Sequence, residues 1–349
     1  MSESLNQNFN HLKVHTQYSI CEGAVKIEDL KNFCKEKKIK SIGLSDTFNL
    51  CGALEFSETI SKVGTQPLIG TQINFKYNDE IGIIPLIAKD RYGYETILRL
   101  SSNSYLENKD NELPYCNIEH LIENPDGIIV LSGSLNSLSG NLFSKNKLNE
   151  LKELYSLINK SFNNDFYLEI QRHHDKNEKQ FEKLNLFFSN ELQIPIIATN
   201  EVYYLEESMY EAHDALMCIK NKSYVNDKDR VKLSKNHNLK TDKEMFELFF
   251  DLPEALLNNY YLPFRCNFKT NNSKPLLPEI SSDQKLSSDK ILEKQAIHGL
   301  EEKFKNNLIE IKDLKDKQTI FNQYKNRLYH EIKIINQMKY SSYFLIVSD

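Results

Sequence analysis

From residue 9 to about residue 200, short apolar runs alternate with amphipathic stretches. The runs are Asn10–Val14, Ser41–Leu44, Pro67–Phe75, Gly82–Ala88, Gly127–Leu131, Phe166–Ile170 and Pro195–Ala198. Between most of them lie segments of helical periodicity: Lys26–Lys38, Ala53–Val63, Tyr92–Tyr105, Lys145–Ile158 and Glu178–Gln193. Strand–helix alternation predicts an α/β fold with βαβ units and a mostly parallel sheet. With seven candidate strands, a closed barrel competes on equal terms with an open sheet.

The pattern then turns helical, over Ser208–Ile219, Asp242–Phe249 and Pro253–Tyr261. Thr241-Asp242-Lys243-Glu244 has the spacing of a capping box, and Leu252-Pro253 marks a stop and restart. Residues 268–288, polar and turn-prone, predict a connector. Two long helical patterns follow, Asp289–Asn307 and Gln318–Lys339. Residues 1–8 are polar and expected to be disordered. The domains expected are therefore 9–267 (barrel to about 205, helical extension 206–267), the connector 268–288, and 289–349. The final run, Tyr343–Asp349, has no cap or stop signal, which predicts that the chain is the front part of a longer polypeptide.

Composition narrows the function. The 349 residues are 40% hydrophobic and 27% charged, ordinary for a soluble protein. A net charge of −5 excludes a general nucleic-acid-binding surface. The six cysteines form no Cys-x-x-Cys pair, which argues against a zinc knuckle or a disulfide framework. No apolar run reaches membrane-spanning length, and Met1–Asn8 lacks a signal-peptide core, so a cytoplasmic location is expected.

The chemistry sits at the ends of the apolar runs: His15, Asp46, Gln72, Ser132 with Ser134, Gln171 with Arg172 and His173, then Thr199, Asn200 and Glu201. β/α barrels assemble their sites from loops at the carboxyl ends of strands, so this set predicts a polar barrel mouth. The alternative is that strand ends are polar because they meet solvent; the set as a whole favours the pocket. Lys13 and His15, two apart on a strand, share a face.

Several stretches together resemble one family. Asn10-His11-Leu12-Lys13-Val14-His15-Thr16-Gln17-Tyr18-Ser19, Leu44–Gly52, Pro67-Leu68-Ile69-Gly70 and Ala198-Thr199-Asn200-Glu201-Val202 are similar to the N-terminal PHP domain of bacterial replicative DNA polymerase III alpha subunits. Ile334–Met338 and Tyr343–Val347 resemble the start of the polymerase palm region. The resemblance implies a PHP-type distorted (β/α)7 barrel followed by an α-helical, incomplete start of the polymerase domain. Some family members hold up to three metal ions at the barrel mouth and act as 3′–5′ exonucleases. In others the domain is structural and a separate epsilon exonuclease, which binds it, supplies proofreading. The resemblance further implies DNA-directed DNA polymerase activity in the parent chain, with Mg²⁺ ions, DNA and replisome contacts beyond this segment, and no membrane partner.

Carried over position by position, the family's ligands are depleted. The His-x-His pair is Lys13-Val14-His15, and an ammonium has no lone pair to give a metal. The acidic position after Tyr-Ser is met by Glu22. The Asp-His pair is Asp46-Thr47, the Glu is Gln72, a later His is Ile83, and the Cys or His after strand five is Ser134. The histidine after Tyr-Leu-Glu is His173 or His174. The terminal Asp-x-His is Glu201-Val202-Tyr203. A full metal cluster is not expected; at most one weak ion would sit at His15, Asp46, His173 and Glu201. Lys13 is expected to stand in for an ion and neutralise Asp46, Glu22 and Glu201, the alternative being that it snorkels to solvent. His11 and His213 are read as structural, and the Lys35–Lys40 basic segment as a solvated helix end. The reading is a scaffold that docks the proofreading exonuclease; the alternative is an active metal-dependent exonuclease or phosphoesterase.

Overall fold

The computed structural model describes residues 8–106, 108, 113–230, 232–273, 286–306 and 317–348. The expected disorder at 1–8 falls almost wholly, and the middle of the expected connector (274–285) entirely, outside the described residues. The chain divides into two compact units, residues 1–272 and 273–349.

In the first unit the strands are β1 (His11–Val14), β2 (Ser41–Thr47), β3 (Gln66–Tyr77), β4 (Glu80–Ala88), β5 (Cys116–Asn117), β6 (Ile128–Leu131), β7 (Phe166–Ile170), β8 (Ile196–Ala198) and β9 (Glu201–Val202). All seven apolar runs carry strands; the two-residue β5 and β9 are too short to leave a periodic signal. The sheet order is β8-β7-β6-β4-β3-β2-β1-β9, with β5 beside β3. The path thus starts at β8 and ends at β9, although only Thr199 and Asn200 separate these strands in the chain. The sheet must curl until its two ends meet, and the result is the distorted barrel. Most neighbours are parallel, as the alternation implies. The exception is β4, antiparallel to both β3 and β6. No helix separates β3 from β4, and a tight turn with Asn78 at φ 52° joins them as a hairpin.

Helices cover the outside: α1 (Ile27–Lys37), α2 (Ala53–Ser61), α3 (Arg91–Leu106), α4 (Ile118–Ile122), α5 (Leu138–Ser144), α6 (Leu148–Phe162) and α7 (Glu178–Leu192). Inside, Leu68, Ile87, Ile129, Leu131, Tyr167 and Ile197 pack together with Leu12 and Leu262. The polar residues Gln72, Glu169 and Thr199 stand at even offsets from Leu68, Tyr167 and Ile197 along their strands, so they continue the same face one layer higher.

The helical extension supplies α8 (Tyr210–Lys220), α9 (Asp242–Leu248) and α10 (Pro253–Tyr261). The Thr241–Glu244 capping box forms as its spacing predicts, and Pro253 opens α10. Asn259 of α10 is fully buried. Its Oδ1 accepts from the Asn10 backbone N–H at 2.8 Å, and its Nδ2 donates to the carbonyls of Asn10 (2.8 Å) and Ala198 (3.0 Å). One amide therefore ties the start of β1 to the end of β8. Phe268 stacks on Tyr94 at 4.8 Å and Thr270 donates to the Ala53 carbonyl at 2.8 Å, so the first residues of the expected connector pack on this unit.

The second unit contains α11 (Ser288–Lys305), α12 (Lys317–Gln337) and α13 (Ser341–Ser348). Phe304 packs edge-on against Phe321 and Tyr324, and Ile332 and Leu345 are buried. The terminal apolar run thus lies in a helix. Among the described residues, no helix is long and apolar enough to cross a membrane.

Candidate functional site at the barrel mouth

Lys13 is the centre of the mouth. It is 2% exposed, so it does not snorkel to solvent. Parallel pairing of β1 with β9 sets Lys13 directly opposite Glu201. Its Nζ lies 2.7 Å from Glu201 Oε2 and 3.1 Å from Glu169 Oε1. Burial opposes its charge, but the two carboxylates, Glu169 foremost, raise its pKa above the ordinary lysine value.

Glu201 is saturated with donors. Oε1 accepts from His15 Nε2 at 2.8 Å and Gln72 Nε2 at 2.6 Å. Oε2 accepts from Lys13 and, at 3.2 Å, from Gln171 Nε2. Burial would raise this carboxyl; Lys13 and His15 hold it well below the usual range. Glu169 accepts from Lys13, from Gln171 Nε2 at 2.6 Å and from the Thr199 hydroxyl. His15 stacks on Tyr203, ring centroids 4.4 Å apart. Burial pushes the Tyr203 hydroxyl well above its ordinary value, which keeps it neutral.

A depressed carboxyl pKa stabilises the fold above the unfolded value, and that contribution disappears as pH falls through the folded value. The urea midpoint of the wild type should therefore exceed that of Glu201→Gln at pH 7. The gap should narrow below about 4.5, the ordinary glutamate value. A gap constant from pH 7 to pH 3 would refute the ionised Glu201.

The structure corrects two expectations. Lys13 meets Glu201 but neither Asp46 nor Glu22. Asp46 instead accepts from the Thr16 N–H, the Thr16 hydroxyl and the Ser19 hydroxyl, all at 2.7 Å. It organises the turn after β1, where Gly23 is required because a Cβ would stand 2.2 Å from the Thr16 carbonyl oxygen. Glu22 pairs with Lys220 of α8 at 2.9 Å. Second, His15, Asp46, His173 and Glu201 do not converge on one point, since His173 Nε2 faces Asn200 Oδ1 at 3.0 Å and the Glu201 backbone N–H at 3.2 Å. His173 is the interior member of the pair and His174 is exposed. The sequence reading also missed Glu169, the only charged residue in β7; a carboxylate inside an apolar run was the available signal.

Lys13, Glu22, Gln72, Ser134, Glu201 and Tyr203 line a cavity of about 260 Å³, with Ile83 on its wall. His11 is buried against the Lys240 carbonyl, and burial lowers its pKa to about 4. His213 Nε2 sits 2.8 Å from the Glu22 carbonyl; both histidines are held structurally. As ligands for a divalent cluster the mouth residues do not fit. An ammonium stands against the carboxylate a metal would need, Gln72 offers that carboxylate an N–H, and Ile83 and Tyr203 bring an alkyl group and a neutral phenol. Among the described residues, one group of His, Cys, Asp or Glu side chains brings three ligand atoms within 4.8 Å of one another: His173, Asp175 and His237.

The comparisons agree with this anatomy. Residues 11–173 match the PHP domain, and residues 290–349 match the "Bacterial DNA polymerase III alpha NTPase domain". The barrel is thus a PHP barrel. The chain is 35% identical to the DNA polymerase III subunit alpha of Rickettsia conorii, over 98% of this chain and 29% of that protein. It is 32% identical to those of Caulobacter vibrioides (100% and 30%) and Borreliella burgdorferi (99% and 30%). The chain carries a PHP domain and part of a DNA polymerase III alpha domain, and it spans about three tenths of the length of these relatives.

Proposed function

We propose that this chain is the PHP-bearing part of a replicative DNA polymerase alpha subunit, in which the barrel braces the polymerase and docks a proofreading exonuclease. The observation that carries the proposal is Lys13 Nζ at 2.7 Å from Glu201 and 3.1 Å from Glu169. A buried cation fills the electrostatic role of an ion and cannot polarise a phosphate or activate water as a metal does. The docking role rests on the family resemblance. Nucleotidyl transfer, with its carboxylate-held Mg²⁺ ions, is assigned to the remainder of the relatives' length.

The test incubates the purified chain with labelled single-stranded DNA and Mg²⁺, Mn²⁺ or Zn²⁺, and separately passes it over immobilised epsilon-type exonuclease from the same organism. Retention on the exonuclease without nucleotide release is the expected result. Release that is abolished by His15→Ala would instead establish a metal-dependent exonuclease or phosphoesterase, and a folded chain that fails to bind would remove the docking role.

A further inference from the structure

Beside the mouth, the loop after β7 and the strap before α9 meet at two stacked imidazoles. The rings of His173 and His237 lie parallel, 9° apart in tilt, with centroids at 4.0 Å. His237 Nδ1 sits 3.0 Å from the Glu201 backbone carbonyl, which can only accept, so this nitrogen carries the proton. Nε2 faces Asp175 Oδ2 at 3.2 Å. An imidazole nitrogen and a carboxylate oxygen at that distance share a positive centre, either a proton or a metal ion.

His173 brings a further ring nitrogen to within 4.8 Å of these ligand atoms. Asn200 donates its amide nitrogen to the Asn238 carbonyl, so its Oδ1 faces His173 Nε2 as an acceptor. The Glu201 N–H approaches the same nitrogen at 3.2 Å. Its Nδ1 lies 3.5 Å from Glu178 Oε1. Burial holds the His173 pKa well below the ordinary histidine value.

We infer that His173, Asp175 and His237 form a binding site for a divalent transition ion of the zinc class, distinct from the barrel-mouth carboxylates. Two ligands about 2.0–2.1 Å from a tetrahedral ion stand roughly 3.3 Å apart, and the Asp175–His237 separation is 3.2 Å. Each ligand is oriented from behind, as metal-bound histidines and carboxylates usually are. The Glu201 carbonyl holds His237, Asn200 holds His173, and the Ser234 N–H donates to Asp175 Oδ1 at 3.2 Å. Asp175, Glu178 and His237 border a cavity of about 20 Å³, room for about one water as a fourth ligand. The ion clips residue 237 to residues 173–175 and so fixes the strap whose His237 backs Glu201. The proposal leans on the mouth being metal-free only in assigning the ion to these three residues.

Metal content of the purified chain, loaded with Zn²⁺ and dialysed, tests this. About one Zn²⁺ per chain is expected, with affinity falling at least roughly tenfold in Asp175→Asn and in His237→Gln. Asp175 is 24% exposed at its side chain, so Asp175→Asn remains informative should the histidine variant fold poorly. His15→Ala should keep the ion. Loss of binding in His15→Ala with retention in Asp175→Asn would place the ion in the barrel mouth, overturning this site and the metal-free reading together. No bound ion in any variant would make Asp175–His237 an ion pair, overturning this site alone.

Discussion

Lys13→Met should lower the free energy of unfolding by about 3–5 kcal/mol, the range for breaking a buried ion pair from one side. Methionine keeps an unbranched stem of similar length, so packing changes little; what disappears is the positive charge 2.7 Å from Glu201 and 3.1 Å from Glu169. The remaining donors to these carboxylates are neutral amides, a hydroxyl and His15. Neutral hydrogen bonds contribute about 1 kcal/mol each, too little to replace a buried counter-charge. Urea unfolding followed by circular dichroism reads the loss. The double variant Lys13→Met, Glu201→Gln should recover part of it, with a coupling of about 0.5–3 kcal/mol. A single variant within about 0.5 kcal/mol of wild type would mean that Lys13 carries no electrostatic burden.

Asn259→Ala should cost about 3 kcal/mol or more. The Asn10 N–H and the carbonyls of Asn10 and Ala198 lose the partner that all three share. Each buried backbone group left unsatisfied costs about 1–3 kcal/mol. Because these groups belong to β8, at one end of the sheet path, and to the start of β1, next to its other end, the damage should be local first. Native-state hydrogen exchange at the Asn10 amide should accelerate more than exchange in β3. Uniform acceleration across the sheet would mean that the amide contributes only to global stability.

The strands and the polar mouth were legible in the sequence because both follow local rules. Apolar runs of strand length mark β1, β2, β3, β4, β6, β7 and β8, and of the residues at their ends His15, Gln72 and Gln171 bond to Glu201. The Thr241 capping box was legible for the same reason. What escaped was decided across long distances. Lys13 finds Glu169 only after β7 has been placed inside the barrel, and Asp46 is taken by the Thr16 turn because a backbone N–H and two hydroxyls outcompete a more distant ammonium. Asn259 looks like an ordinary helix residue until β1 and β8 are brought to it. Asp175 and His237, 62 positions apart, share no spacing that a motif could capture.

The Asn259 seam also sets a schedule for the nascent protein. Asn10 and Asn259 are 249 positions apart, and ribosomes add about 5–20 residues per second. Between the emergence of the two residues, roughly 12–50 s pass, during which the first strand is outside the ribosome and the amide that will lock it is not. Unpaired strand edges invite pairing with other chains. The period between synthesis of β1 and synthesis of α10 is therefore when this polypeptide most needs a holdase or slow local elongation, and a ribosome stalled just before codon 259 would display a barrel that is complete in strands but unfastened.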